Sequence, residues 1–176
     1  MGDVDDQLST LVAAAREGDN VAVRELVRRT QPIIWRLCNV LGSFGEEDDL
    51  VQETYLRAFR SLDNYRGEAP FTAWVSTIAR RVCADHVRTC VRERRLAGVL
   101  AHRVEDQWVA APGNPTLGLL DAIGPDRREA FVLTQVAGLS YDEAAAVLDC
   151  PVGTIRSRVA RARADLLTEV QAAEAS

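Results

Sequence analysis

Lysine is absent from this sequence: all 21 basic residues are arginine, set against 26 acids for a net charge of −5. An acidic chain is not a general polyanion binder, so any contact with nucleic acid must come from locally concentrated positive charge. The all-arginine usage reads mainly as coding bias, with a secondary gain in two-pronged phosphate contact. Cysteine is sparse. Four residues, Cys38, Cys83, Cys90 and Cys150, lie far apart with no C-x-x-C pair, which argues against a disulfide scaffold and predicts free thiols in a reducing compartment. No apolar run approaches the ~18–20 residues of a membrane span. The opening MGDVDDQ lacks the basic and apolar regions of a signal peptide. A cytoplasmic protein without membrane insertion is therefore expected. No period-two strand pattern and no internal repeat occur, so the fold class expected is all-α.

A hydrophobic content of 47% is enough for a packed core, and 27% charge argues against disorder. In chain order, residues 1–7 read as an acidic tail. A helix follows over Ser9–Glu17, broken at Gly18-Asp19. Asn20 or a neighbour caps the next helix, and Pro32 opens a third segment, Ile33–Leu41. Gly42 to Gly45 is a turn. Glu46–Ser61 is a strong helix, with four acids at the end where the helix dipole favours them. Asn64–Pro70 is a polar loop, and Phe71 to about Arg95 is a long helix. Pro112, Gly113, Asn114 and Pro115 are linker residues. The expected organisation is thus two small helical domains, residues 8–95 and 116–171, joined by a flexible linker over 96–115.

The most informative stretch is Gly138 to Leu167. Ser140 and Glu143 have the S-x-x-E spacing of a capping box, which predicts a short helix from Tyr141. Asp149-Cys150-Pro151 then breaks the chain, and Pro151 suits the first turn of a new helix because its missing N–H would be unpaired there. At 100° per residue, Ile155, Val159, Ala162 and Leu166 share one face. Thr154, Ser157, Ala160 and Arg161 oppose it, with Arg156 on the flank. Arg156, Arg158, Arg161 and Arg163 have no acid among them. This is the pattern of a helix-turn-helix whose second helix enters a major groove. An ordinary solvated amphipathic helix is the plainer alternative. A second basic strip lies at residues 80–95, where Arg80, Arg81, Arg88, Arg92, Arg94 and Arg95 face only Asp85 and Glu93. One basic helix in each acidic half suggests contact with two separate stretches of nucleic acid.

Three blocks, DDLVQETYLRAFR, FTAWVSTIARRVCADHVR and GLSYDEAAAVLDCPVGTIRSRVARARADLL, occur in this order. Together they resemble the extracytoplasmic-function group of the sigma-70 family, the promoter-specificity subunits of bacterial RNA polymerase. The likeness runs from about Ala13 to Leu167, is of the actinobacterial type and is near the sigma C group in its last block. It implies binding to core RNA polymerase (its beta and beta-prime subunits) and to promoter DNA, with melting and initiation. It implies no catalytic residue, no cofactor and no metal, and no appended regulatory domain beyond Ser176.

Residue by residue, the resemblance assigns polymerase docking to Asp49, Gln52, Glu53 and Arg57, which share one helical face. Without it, that stripe would read as a solvated surface. It assigns the minus-10 element to Tyr65 and Arg66 in the loop and to Arg80, Arg81, Asp85, His86 and Arg88 on the following helix, where a flipped base needs a pocket and phosphates need arginine. Trp74 reads as core more than contact. The minus-35 element falls to Thr154, Arg156, Ser157 and Arg161, while Arg158 serves phosphate or structure. Cys83, His86 and Cys90 lie near one helical face, so a metal site is geometrically conceivable, but one helix rarely supplies three ligands and buried cysteine is the plainer reading. Two rival functions are a stand-alone helix-turn-helix regulator and an enzyme acting on nucleic acid, the latter needing a metal-binding carboxylate cluster where the acids at 46–49 sit on a helix start without His. For regulation two readings stand. An anti-sigma protein covers both domains, or the two acidic halves fold onto each other and hide both basic helices until polymerase separates them.

Overall fold

The structure, a computed structural model, describes residues 2–43, 45–96, 120 and 123–174. It contains α1 (Gly2–Arg16), α2 (Asn20–Leu41), α3 (Glu47–Arg60), a 3-10 turn (Leu62–Asn64) and α4 (Phe71–Leu96). Then come α5 (Pro125–Phe131), which continues into a π turn (Val132–Val136), α6 (Tyr141–Leu148) and α7 (Val152–Glu174). No strand occurs among the described residues, and the all-α expectation holds. Of the expected linker, Leu96 closes α4 and residues 97–115 lie outside the described residues.

Two expectations need correction. Residues 2–7 are not a tail but the start of α1. The sequence there, GDVDDQ, carries three acids, the residue type that a helix N-terminus favours. The break expected at Pro32 does not occur either, because α2 runs through it. Ala22, Leu26, Thr30, Ile34, Leu37, Cys38 and Leu41 recur at helical spacing on both sides of the proline and are all buried. Their common burial outweighs the local cost of one lost backbone bond, about 3 kcal/mol for an interior proline. The α2 cap is Asp19, the neighbour of Asn20; its carboxylate accepts from the Val21 N–H at 2.7 Å.

In the N-terminal half, α2 packs against α1, α3 and α4, and α3 packs on α4. Phe71, Val75, Ala79, Val82, Cys83 and Val87 form the buried stripe of α4. Of the polar groups inside, Ser76 Oγ of α4 is buried without a hydrogen-bond partner among the described residues, whereas Thr30 and Tyr55 are matched. Thr30 Oγ1 donates to the Leu26 carbonyl at 2.8 Å and lies 2.8 Å from the Tyr55 hydroxyl. Burial pushes Tyr55 up to about 12, so the phenol keeps its proton. At the α2–α3 junction a side chain is excluded. A Cβ on Gly42 would fall 2.2 Å from Leu50 Cδ1 and 2.5 Å from the Cys38 carbonyl. In the C-terminal half α7 packs on α5 and α6. The halves also meet: α6 lies on α4 and the π turn on α2, and the buried apolar cluster is continuous across both.

Pro32 is exposed and fills no core space. Pro32→Ala restores one backbone donor and is expected to stabilise the fold by about 1–2 kcal/mol, after allowance for the looser unfolded chain. Urea denaturation should show a raised midpoint with an unchanged slope.

Candidate nucleic-acid interface

The helix-turn-helix is built as its residues require. Ser140 Oγ accepts from the Glu143 N–H at 3.2 Å, and Glu143 accepts from the Ser140 N–H at 2.8 Å, so both halves of the capping box are made. Asp149 ends α6 in the left-handed region at φ 48°, a conformation that a short polar side chain tolerates. Ile155, Val159 and Ala162 are buried, while Arg156, Ser157, Ala160 and Arg161 are exposed. Thr154 is half-buried, and its carbonyl accepts from Ser157 Oγ at 2.9 Å. The four arginines divide into two pairs. Arg158 pairs with Asp126 of α5 at 2.8 Å, and Arg163 donates to Gln135 Oε1 at 2.7 Å. Arg156 and Arg161 have no polar partner among the described residues, so their guanidinium forks remain available. Of the two roles expected of Arg158, phosphate or structure, its pair with Asp126 fits the second.

On the other half, Asp49 and Gln52 are exposed on α3. Glu53 and Arg57 are not independent: Arg57 Nε donates to Glu53 at 2.6 Å and Arg57 Nη1 to Asp85 of α4 at 2.9 Å. Asp85 also accepts from Arg88. The Arg57 and then the Arg88 hydrogen bonds hold the Asp85 carboxyl below its usual range. The proposed docking stripe and the basic strip of α4 are therefore one ion-pair chain, Glu53–Arg57–Asp85–Arg88. Asp85, singled out as a nucleic-acid contact, aligns two arginines here. Arg80 pairs with Glu129 of α5, and Arg81 is exposed.

The loop before α4 forms a cavity of about 400 Å³ lined by Asn64, Tyr65, Arg66, Glu68, Ala69, Ala73, Trp74, Thr77 and Ala146. Arg16 of α1 fixes this loop by donating to the Leu62 carbonyl at 2.9 Å and also to the Tyr65 carbonyl. Tyr65 is buried, donates to the Ala69 carbonyl at 2.7 Å, and packs against Phe71 and Trp74 with ring centroids 5.7 and 5.3 Å apart. Tyr65 is the floor of the cavity rather than a free stacking face, and Arg66 stands exposed at its rim. Trp74 is half-buried and is both core and wall.

His86 lies 3.0 Å from Ser43 Oγ and 3.3 Å from Cys90 Sγ. Cys83 turns the other way, towards Cys38 in the core. Both are free thiols, and the hydrogen bond to Cys38, and then burial, push the Cys83 thiol far up. The three candidate ligands do not converge, and no cluster of three metal-binding side chains occurs among the described residues. No described helix is long and apolar enough to cross a membrane. Sequence spacing missed Glu129 and Ala146, because each meets the N-terminal half from a distant part of the chain.

A folded helix-turn-helix, a second basic helix and an aromatic-floored cavity define a two-part nucleic-acid-binding protein. Family models match both parts: sigma-70 region 2 over residues 26–95 and sigma-70 region 4 over residues 116–166. The chain is 39% identical over 172 residues to the extracytoplasmic-function RNA polymerase sigma factor SigC of Mycobacterium tuberculosis, covering 95% of this chain and 93% of SigC. It is 32% identical to the extracytoplasmic-function sigma-E factor of Escherichia coli K12 over 177 residues, covering 92% and 93%. Among solved structures, CnrH in complex with the cytosolic domain of CnrY matches with a TM-score of 0.72 and 30% identity, over 93% of this chain and 96% of that one. RpoE of Bartonella quintana, solved with the anti-sigma factor NepR, matches at 0.66 and 29%, over 84% and 96%. The chain belongs to the extracytoplasmic-function group of the sigma-70 family and functions as an RNA polymerase sigma factor in transcription initiation. This decides against the stand-alone regulator.

Because the folded pKa of Asp85 is depressed, its ion pairs stabilise the protein fully above the unfolded carboxyl value, near 3.9, and are lost as pH falls through the folded value. Asp85→Asn is expected to cost at most about 1 kcal/mol at neutral pH, since the pairs are solvent-exposed. Urea unfolding of wild type and variant should converge at the acid end of that window. A gap that persists or widens there would assign the loss to something other than charge.

Proposed function

We propose a residue-level division of labour for this sigma factor. Residues 8–95 form the polymerase-docking and minus-10 domain, residues 96–115 the tether, and residues 116–171 the minus-35 domain. Asp49, Gln52, Glu53 and Arg57 dock on core polymerase. Tyr65 and Arg66 frame the cavity for a base flipped from the minus-10 element, and Arg80, Arg81, His86 and Arg88 follow the strand, with Asp85 aligning the arginines. Thr154, Arg156, Ser157 and Arg161 read the minus-35 element. The observation that carries this reading is the face α7 offers: Arg156, Ser157 and Arg161 exposed, opposite buried Ile155, Val159 and Ala162. The chain performs no catalysis of its own; bond formation belongs to the polymerase. It works in the cytoplasm with core enzyme and promoter DNA. The pairing of related structures with an anti-sigma factor supports such a protein as a further partner.

Reversing Asp49 and Glu53 to Arg tests the docking stripe. Like charge set against a basic partner surface should weaken core binding at least about tenfold, with the circular dichroism spectrum unchanged. Normal binding by the double variant would return the stripe to ordinary solvated surface.

A promoter-library selection tests the reading helix. Arg161→Ala should relax preference at particular minus-35 bases by about 1–3 kcal/mol, whereas Arg163→Ala weakens binding evenly across sequences. An unaltered minus-35 preference in Arg161→Ala would mean that α7 is oriented otherwise.

A further inference from the structure

Arg16 lies in the last turn of α1, ahead of residues 26–95, which match sigma-70 region 2. The rotation of α1 is set by its apolar side, because Leu8, Val12 and Ala15 are buried and the helix packs on α2. Arg16 falls at the edge of that stripe, beside the 3-10 turn. Its guanidinium straddles two carbonyls that lie 46 and 49 residues further along the chain. Nε and Nη2 donate to the Leu62 carbonyl at 3.2 and 2.9 Å, and Nη2 donates to the Tyr65 carbonyl as well. The Leu62 carbonyl also accepts the Tyr65 N–H at 3.1 Å. The fork therefore grips both ends of the segment Leu62–Tyr65. Arg16 has no carboxylate partner among the described residues, so its donors are given to this backbone.

That segment carries the cavity. Tyr65 leaves the 3-10 turn in extended backbone and supplies the floor, while Asn64 and Arg66 line the walls. Beyond it the loop turns through Gly67 at φ 73°, and the Tyr65 hydroxyl closes on the Ala69 carbonyl at 2.7 Å. The loop has two polar anchors, and one of them, Arg16, reaches it from another helix. A single 3-10 turn has few backbone bonds of its own, and they are poorly aligned. Its placement over α4 depends on what grips it from outside.

We infer that Arg16 is a positioning residue for minus-10 recognition. By clamping the Leu62 and Tyr65 carbonyls it sets the height of the cavity floor and the places of Asn64 and Arg66, and so which base the cavity accepts. This rests on the reading of the cavity as the pocket for a flipped base. Such a base stays out of the stack only where pocket contacts offset the stacking it has lost, so a displaced floor is felt as lost discrimination. The planar fork matters here, not charge alone: an ammonium is a point charge on a flexible stem and does not hold two acceptors in one fixed geometry.

The experiment uses the full chain assembled with core polymerase, in a promoter-library selection that reads every minus-10 and minus-35 position. Arg16→Gln should lower discrimination at one minus-10 position at least about fivefold, the lower end of what a well-made base contact supplies. Other positions, the minus-35 preference and core affinity should be unchanged. Arg16→Lys keeps the positive charge at the end of α1 without the planar fork and should lose discrimination at the same position. As the milder change it also covers the case in which Arg16→Gln does not fold. Arg24→Gln removes an equal charge from an exposed site on α2 and should read as wild type. A 2-aminopurine placed beside the affected position gains fluorescence as its neighbour leaves the stack, and that gain should be smaller in both Arg16 variants. A wild-type profile in Arg16→Lys overturns the inference, because charge at the helix end then suffices, as does a loss spread evenly over both elements. Arg66→Ala reads the pocket assignment itself. No minus-10 change there overturns that assignment and the inference together, whereas a change there with none in Arg16→Gln strikes the inference alone.

Discussion

The N-terminal half depends on the apolar stripe of α4. Phe71, Val75, Ala79, Val82, Cys83 and Val87 pack this helix against α2 and α3, and each large member adds about 1.5–3 kcal/mol of burial. Once that stripe is committed to the core, the rotation of the helix is fixed. Arg80, Arg81, Asp85 and Arg88 must then fall on the remaining arc, and the aromatic loop must enter at its start. A polar surface with so many arginines is held in place by the hydrophobic side of the same helix.

Charge is organised locally rather than globally. The chain is acidic as a whole, yet guanidinium groups gather at each surface assigned to nucleic acid. Arg80 and Arg88 are already engaged within the protein, with Glu129 and Asp85, as are the neighbouring Arg57, with Glu53 and Asp85, and Arg158, with Asp126. Such exposed pairs contribute little to stability; what they fix is orientation. Arg156 and Arg161 stand apart because no carboxylate among the described residues reaches them.

Local signals carried far in the sequence. The capping box at Ser140 and Glu143, the turn at Asp149-Cys150-Pro151 and the buried face of α7 were legible because each depends on neighbours within a few residues. Pro32 misled for the complementary reason: its local cost was visible, while the tertiary burial on either side of it was not. The candidate site was legible as residue types on faces, but not as partnerships. Asp85 reads as a lone acid in a basic strip until Arg57, 28 residues away, is seen beside it. Glu129 lies 49 residues from Arg80 and carries no spacing signal at all. Tyr65 appears from sequence as an open aromatic; the Ala69 carbonyl and the Phe71 and Trp74 rings make it a floor.

The tight junction at Gly42 also bears on how this surface can vary. Leu50 Cδ1 and the Cys38 carbonyl fill the space that any β-carbon there would need. Leu50 lies in the first turns of α3 and anchors its near end. The helix runs on to Arg60, about 15 Å beyond that anchor, so a tilt of about 10° there swings the far end by about 2–3 Å. One missing methyl group thus sets the pivot of a lever arm. Asp49 lies close to the pivot and Arg57 well out along the arm. Substitution at position 42 would redirect the outer contacts of the stripe far more than the inner ones without altering any of them chemically.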